Sequence, residues 1–138
     1  RDVTIVDDYA HHPTEVAATI AAASVGSQGR VIVVFQPHRY TRTADLAPDF
    51  GAPLALADTV IVTDIYAAGE QPIIGVSGRL VVQATDAAGG EVQFVPRITD
   101  VAAVVSDLVE PGDTVLLLGA GDITSIASEV ALAIEAQR

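Results

Sequence analysis

The chain of 138 residues contains no cysteine, methionine, tryptophan or lysine. Without cysteine it cannot form a disulfide or a zinc–thiolate site, and it has no thiol nucleophile. Without lysine it cannot contain a Walker-type phosphate loop, a Schiff-base lysine or a lysine general base. Because a natural chain begins with methionine and this one has none, we expect it to be either a domain excised from a longer protein or a processed chain.

Positive charge is also scarce. Seven arginines stand against 18 acidic residues, and the formal net charge is −11. Nucleic acids require a basic surface on their partner, and anionic membranes repel an acidic protein, so we expect neither as a partner. No apolar run approaches the roughly 20 residues that span a bilayer, and no signal-peptide pattern opens the chain. Together with the missing cysteines, this favours a cytoplasmic location.

The apolar residues that are present form short, continuous runs rich in β-branched side chains. Such runs are typical of parallel strands that are buried on both faces. The runs lie at residues 3–6, 31–35, 60–62, 92–95 and 115–118. The stretches between and after them predict helices at residues 13–25, 42–57, 78–88, 99–109 and 122–136. This alternation predicts one α/β domain, a doubly wound (Rossmann-like) three-layer fold with a mainly parallel sheet of about five strands.

Prolines and a glycine indicate where some of these helices begin, end or bend. Pro13 suits the first position of a helix, and Gly26 suits the position just after one. Pro48 and Pro53 fall inside the second predicted helix. Since proline lacks the N–H that a helix interior needs, we expect this helix to kink or split there.

In doubly wound sheets, ligands bind beyond the carboxyl ends of the strands, where the winding direction reverses. This rule points to the turns that begin at Asp7, Gln36, Asp64 and Gly119. All three histidines of the chain lie in the first two of these turns. We therefore interpret those two turns as the walls of a binding cleft.

The first turn, residues 7–15 (DDYAHHPTE), carries groups suited to a nucleotide. Asp7 and Asp8 could accept hydrogen bonds from ribose hydroxyls, and Tyr9 offers an apolar face to a base or a sugar. His11 can donate a hydrogen bond to a phosphate or to a polar ring edge. A helix that starts at Pro13 would also present free N–H groups, which favour an anion.

The same turn has two other interpretations. In the first, Asp8 and His12 merely cap backbone groups of a polar turn between a strand and a helix. In the second, His11, His12 and Glu15 hold a metal ion, although their spacing is not that of the usual ligand sets.

The second turn, residues 38–42 (HRYTR), places Arg39 and Arg42 three residues apart. At the start of a helix this spacing puts both guanidinium groups on one side, where they could bind a carboxylate or a phosphate bidentately. The alternative is that both arginines lie on the surface and pair with Asp45 or Asp49 of the same helix, which would contribute little.

The two remaining turns are less informative. Residues 119–124 (GAGDIT) lack the third glycine of a dinucleotide-binding fingerprint. We interpret them as a tight turn with Asp122 as the N-cap of the last helix. The turn is either purely structural, or its glycines allow a ligand or a neighbouring loop to approach closely. Residues 64–70 (DIYAAGE) could line the same cleft through Tyr66 and their acidic ends, or form a solvated loop. No nucleophile, base and orienting group form a complete catalytic set, so the chain has the character of half an active site.

These segments resemble the C-terminal domain of the Mur ligases, the ATP-dependent ligases of peptidoglycan synthesis. The resemblance runs from residue 3 to about residue 133 and is carried by residues 7–15, 35–43 (FQPHRYTRT), 64–73 and 119–123. The DYAH portion is shared loosely across the family. The QPHRYTRT portion resembles most the members that join L-alanine to UDP-N-acetylmuramate.

The resemblance implies that residues 1–138 are the C-terminal, amino-acid-binding and lid domain, and that the N-terminal and central domains lie outside this sequence. It implies ATP and Mg²⁺ as cofactors, held mainly by the central domain. L-alanine, UDP-N-acetylmuramate and ATP would be the partners of the full-length enzyme. ATP would convert the carboxylate of the nucleotide sugar into an acyl phosphate, from which the incoming amine displaces phosphate. We expect the isolated domain to be inactive.

The resemblance also implies roles for individual residues. Those expected near ATP are Asp8, Tyr9 and His11. Those expected near L-alanine and the acyl group are His38, Arg39 and Arg42. Two other assignments remain open: a standalone nucleotide- or metabolite-binding module without catalysis, and a related ligase that joins a peptide to the same sugar nucleotide.

The chain departs from the family pattern in a few places. The family often has proline at the position of Ala67, and often Asn-Ile-Gly at residues 122–124. Its extra antiparallel edge strand is expected to be lost here or reduced to residues 1 and 2. We expect the ends of the first, second and last strands to lie side by side at the centre of the sheet, which would bring Asp8, His38 and Gly119 together.

Overall fold

The apolar runs of the sequence form one parallel sheet in the computed structural model, which describes residues 2–137. Within these residues the strands are β1 Thr4–Asp8, β2 Val31–Phe35, β3 Thr59–Val62, β4 Val92–Phe94 and β5 Thr114–Leu118. The α-helices are α1 Pro13–Gly26, α2 Tyr40–Leu54, α3 Arg79–Ala87, α4 Val101–Leu108 and α5 Ala127–Ala136. Short 3₁₀ helices at Ile98–Asp100 and Asp122–Ser125 precede α4 and α5. The predicted α/β architecture is confirmed.

The strand order is β1-β5-β2-β3-β4, and every neighbouring pair is parallel. Asp8 is in register with Leu118, and Leu118 is in register with Phe35. The ends of β1, β5 and β2 are therefore neighbours, as predicted. The prediction that all three lie at the centre is wrong for β1, since among residues 2–137 no strand pairs with its other side. Of the predicted strand remnant at residues 1 and 2, Asp2 is not in a strand and Arg1 lies outside the described residues.

The side chains of the sheet point alternately into two hydrophobic cores, one on each face. Val31, Val33 and Phe35 of β2 pack into the core under α1, α2 and α3, whereas Ile32 and Val34 pack into the core under α4 and α5. Every residue of β2, β3 and β5 is buried. Strands covered on both faces need apolar side chains at successive positions, which is why these runs are continuous.

The ends of the helices match the sequence in part. α1 begins at Pro13, as predicted. α2 runs as one helix through Pro48 and Pro53, so it does not split. Pro48 lies on the exposed side and Pro53 lies in the last turn, while Ala47, Phe50 and Leu54 anchor the other side in the core. None of the helices between residues 2 and 137 is both long and apolar enough to cross a membrane.

Candidate functional site

The turns after β1 and β2 meet at the carboxyl edge of the sheet. The ring of His11 lies 6.1 Å from the ring of His38, and the ring of Tyr9 lies 5.4 Å from that of His11. The backbone N–H of Gly119 donates to the carbonyl oxygen of Asp8 at 3.3 Å. Parallel strands end at the same edge, so the three loops that follow β1, β5 and β2 form one surface.

The first turn is held by its own carboxylates. Asp8 Oδ1 accepts a hydrogen bond from the N–H of Ala10 at 2.9 Å. Glu15 Oε1 accepts from the N–H groups of His11 and His12, both at 3.1 Å. These two hydrogen bonds lower the pKa of Glu15. The carboxylate of Glu15 therefore already occupies the start of α1, where the sequence suggested that an anionic ligand could bind.

Part of the first turn remains open to a ligand. Tyr9 is 65% exposed, and Nδ1 of His11 donates to the carbonyl oxygen of Tyr9 at 2.8 Å, which leaves its Nε2 free of that bond. An open cavity of about 350 Å³ runs along this turn and the first turns of α1. Its lining residues are Asp8, Tyr9, Ala10, Glu15, Ala18 and Thr19. Asp7 is exposed and does not line this cavity.

The alternative of a metal site finds no support in residues 2–137, because no group of three or more histidine and acidic side chains there is arranged to hold a metal ion. His11 and His12 are adjacent, with ring centroids 5.2 Å apart. Glu15, the carboxylate that this alternative requires, accepts backbone hydrogen bonds instead.

The second turn is joined to the loop after β3. The N–H of Arg39 donates to the carbonyl oxygen of Tyr66 at 2.8 Å, and the N–H of Tyr66 donates to that of Pro37 at 2.9 Å. The rings of His38 and Tyr66 are stacked, with centroids 5.7 Å apart and an angle of 18° between the planes. Residues 64–70 are therefore hydrogen-bonded and stacked against the second turn, although none of them is fully buried.

Two polar atoms of this turn are buried and lack a hydrogen-bond partner within residues 2–137, namely Nδ1 of His38 and Nη1 of Arg42. Burial lowers the pKa of His38, and the nearby charges of Arg42, Arg39 and His11 lower it further. The imidazole is therefore neutral near pH 7. Buried polar atoms are almost always satisfied, so these two atoms are candidates for contact with a polar ligand or an ordered water.

The alternative, in which the arginines pair with acidic residues of α2, does not occur in the described residues. Among residues 2–137 no ion pair joins Arg39 or Arg42 to Asp45 or Asp49. Arg39 instead lies with Nη1 at 3.9 Å from Oε2 of Glu70.

The glycine turn after β5 is closely packed. A Cβ atom at Gly121 would lie against the ring of Tyr66 and 2.6 Å from Oε1 of Gln36. Asp122 is not an N-cap, because it lies inside the 3₁₀ helix and its Oδ1 accepts from Nε2 of Gln36 at 2.6 Å. Gln36 Oε1 in turn accepts from the N–H of Ile123 at 3.2 Å. Sequence reasoning assigned Gln36 no role, although a polar residue at the end of an apolar strand was a visible signal.

Comparisons with known proteins identify the family of the chain. Residues 1–121 match the family model described as "Mur ligase, glutamate ligase domain". The UDP-N-acetylmuramate–L-alanine ligase of Cutibacterium acnes is 54% identical over 127 residues, which are 91% of this chain and 27% of that protein. The ligase of the same name from Mycobacterium sp. strain JLS is 50% identical over 139 residues, covering 98% of this chain and 28% of the relative.

Solved structures show the same fold. The crystal structure of UDP-N-acetylmuramate-alanine ligase from Thermotoga maritima superposes with a TM-score of 0.75 at 24% identity, covering 99% of this chain and 27% of that one. The murein peptide ligase of Psychrobacter arcticus superposes with a TM-score of 0.76 at 20% identity, covering 96% of this chain and 28% of that one. The chain thus spans little more than a quarter of the length of the curated relatives it matches.

Proposed function

The chain belongs to the Mur ligase family, and on that premise we propose that it is the C-terminal domain of an ATP-dependent UDP-N-acetylmuramate–L-alanine ligase. The names of relatives at 50–54% identity support the choice of L-alanine over a peptide, and they disfavour a standalone binding module. In this proposal residues 1–138 bind the amino acid and close over ATP. The N-terminal and central domains lie in the rest of the longer protein.

The observation that carries the proposal is the unpartnered pair of His38 Nδ1 and Arg42 Nη1 at the carboxyl edge of the sheet. Arg42 is the cation available to a carboxylate, because Arg39 already lies beside Glu70. A guanidinium group binds a carboxylate through charge-assisted hydrogen bonds. His38 is neutral, so it does not repel the ammonium group of an amino acid bound through its carboxylate.

The nucleotide would contact the first turn. Asp8 keeps one oxygen on the N–H of Ala10, and we assign its other oxygen to a ribose hydroxyl. Tyr9, with its largely exposed ring, and His11 would lie close to the nucleotide. The metal and the phosphates of ATP would be held mainly by the central domain, as the family resemblance implies.

The reaction would proceed in two steps. The carboxylate of UDP-N-acetylmuramate attacks the γ-phosphorus of ATP, which releases ADP and forms an acyl phosphate. The amine of L-alanine, after losing a proton, attacks the acyl carbon, and the C–O bond to phosphate breaks. The contribution of this chain is to hold the carboxylate of alanine so that its amine faces the acyl carbon, and to exclude water from the acyl phosphate.

The test is Arg42→Ala in the full-length ligase. We expect the KM for L-alanine to rise, or turnover to fall, by roughly 10- to 1,000-fold, the scale of losing about 1.5–4 kcal/mol of binding in the transition state. The KM values for ATP and UDP-N-acetylmuramate should change little. Arg97→Ala is the matched control, because Arg97 is exposed and pairs only with its neighbour Asp100 among the described residues. Near wild-type kinetics for Arg42→Ala would refute the carboxylate assignment.

A further inference from the structure

Glu70 connects the loop after β3 to the start of α2. Its Oε1 accepts hydrogen bonds from the N–H groups of Tyr40 at 2.6 Å and Thr41 at 3.1 Å. Its Oε2 accepts from the hydroxyl of Thr41 at 2.6 Å and lies 3.9 Å from Nη1 of Arg39. One carboxylate thus serves two of the N–H groups that the first turn of a helix leaves without a partner.

The backbone at this point is strained. Arg39 has a φ of 71°, in the left-handed region that residues with a Cβ rarely adopt. Such a conformation persists only where the surroundings fix it. Here the N–H of Arg39 donates to Tyr66, and its carbonyl oxygen accepts from the N–H and the hydroxyl of Thr43 at 3.1 and 2.7 Å. Glu70 fixes the residues between these contacts.

Arg39 is also the residue that separates His38 from the helix that carries Arg42. Its conformation therefore sets how the imidazole and the guanidinium are placed relative to each other. His38 is held on one side by stacking on Tyr66. Arg42 is held through α2, whose first turn is hydrogen-bonded to Glu70. The loop of residues 66–70 thus holds both ends of the HRYTR segment.

We propose that Glu70 is a positioning residue for the amino-acid site, which fixes the start of α2 and thereby the placement of Arg42 relative to His38. This inference rests on the proposed function. Glu70 has no contact with a substrate in this scheme and acts through Arg39, Tyr40 and Thr41. It also neutralises Arg39, so that the carboxylate of the amino acid is bound by Arg42.

The charge of Glu70 is available for this role. The pKa of Glu70 is lowered, mainly by the hydrogen bond from the hydroxyl of Thr41. Burial raises this pKa. The hydrogen bonds from the N–H groups of Thr41 and Tyr40 and the charge of Arg39 lower it further. The carboxylate is therefore ionised at neutral pH. Glutamine has nearly the same shape and keeps one acceptor oxygen, but it is uncharged, and an NH₂ group in place of Oε2 cannot accept from the hydroxyl of Thr41 and would face the guanidinium of Arg39.

The test is Glu70→Gln in the full-length ligase, with Glu91→Gln as a matched control on the exposed surface. We expect the KM for L-alanine to rise about 10- to 100-fold, while the KM values for ATP and UDP-N-acetylmuramate stay within about 3-fold. A general loosening of the domain would raise all three values together, and that result would overturn the inference. Glu70→Asp, which keeps the charge on a shorter side chain, should recover part of the loss.

Thr41→Val keeps the test decisive if Glu70→Gln does not fold. It removes only the hydroxyl hydrogen bond to Glu70, and we expect a rise of about 3- to 10-fold in the KM for L-alanine alone; no change would contradict the inference. The two proposals fail in different ways. If Arg42→Ala impairs alanine use and Glu70→Gln does not, only the positioning role is wrong. If Arg42→Ala is without effect, the assignment of the alanine carboxylate to Arg42, on which this inference rests, is wrong.

Discussion

Gly121 shows how much a single residue of this site depends on its neighbours. Its φ of −99° is open to any residue, so glycine is not required by backbone conformation. The requirement is space, since an added Cβ would meet both the ring of Tyr66 and the side chain of Gln36. Tyr66 in turn stacks on His38. A methyl group at Gly121 would therefore push on the residue that holds the imidazole.

We predict that Gly121→Ala destabilises the chain by about 1–3 kcal/mol, the usual cost of overpacking. Gly26→Ala is the matched control. Nothing lies within 4 Å of a Cβ there, so that variant should be neutral or more stable by about 0.4–1 kcal/mol. Urea unfolding of the two variants measures the difference. Equal stability would show that the Tyr66 loop can move away without cost.

At the scale of elements, the opposite edge of the sheet is tied together by Asp113. This buried carboxylate precedes β5 and accepts from the N–H of Arg30, from Nη2 of Arg30 and from the N–H of Glu110, each at 2.8 Å. Nη2 of Arg30 also donates to the carbonyl oxygen of Leu108 at 2.8 Å. The start of β2, the end of α4 and the start of β5 therefore share one hydrogen-bonded cluster, remote from the proposed site.

We predict that Asp113→Asn lowers the free energy of unfolding by about 2 kcal/mol at pH 7, because hydrogen bonds to a charged group are lost or weakened. Burial raises the pKa of Asp113, but the hydrogen bonds from Arg30 and Glu110 outweigh it and the pKa lies below its usual value. The unfolded chain then binds the proton more readily, so this stability is present above about pH 4 and is lost as the pH falls through the folded pKa.

Urea unfolding between about pH 2.5 and 7 measures this dependence. The difference between wild type and Asp113→Asn should shrink as the pH falls. Asp45→Asn, at an exposed position of α2, is the control and should differ little from wild type at any pH. A constant difference across the range would mean that the charge of Asp113 does not contribute.

At the scale of the whole molecule, four loops on one edge of a doubly wound sheet, those after β1, β2, β3 and β5, build the proposed site, and the chain supplies only part of the proposed reaction. It contains no lysine and therefore no Walker-type phosphate loop. Phosphoryl transfer requires that the γ-phosphate be both positioned and neutralised. The arginines at the carboxyl edge of the sheet cannot do both without a phosphate-binding loop.

We therefore predict that the 138-residue chain alone releases no phosphate from ATP in the presence of L-alanine and UDP-N-acetylmuramate. The full-length ligase should do so under the same conditions. Circular dichroism and a cooperative thermal transition would establish that the inactive chain is folded. Robust turnover by the isolated chain would contradict the division of labour between the domains.

Much of this fold could be predicted from local patterns. Continuous apolar runs indicated buried parallel strands, and Pro13 marked the start of α1, because side-chain alternation and backbone restriction act within a few residues. The start of α2 was predicted at about residue 42, and the helix begins at Tyr40. The carboxylate of Glu70, 30 positions away, accepts the first N–H groups of the helix. No local pattern contains such a contact.

The sequence by itself determined the α/β alternation, the family, and the position of the chemically distinctive residues at the carboxyl ends of strands, since each follows from short-range order along the chain. The tertiary structure alone decided that β1 lies at the edge of the described sheet, that Asp122 pairs with Gln36 and is not an N-cap, and that Glu70 holds the start of α2. These features join segments that are far apart in the chain. The free energy of these contacts depends on which surfaces meet after folding, and the periodicity of apolar residues along the chain does not contain that information.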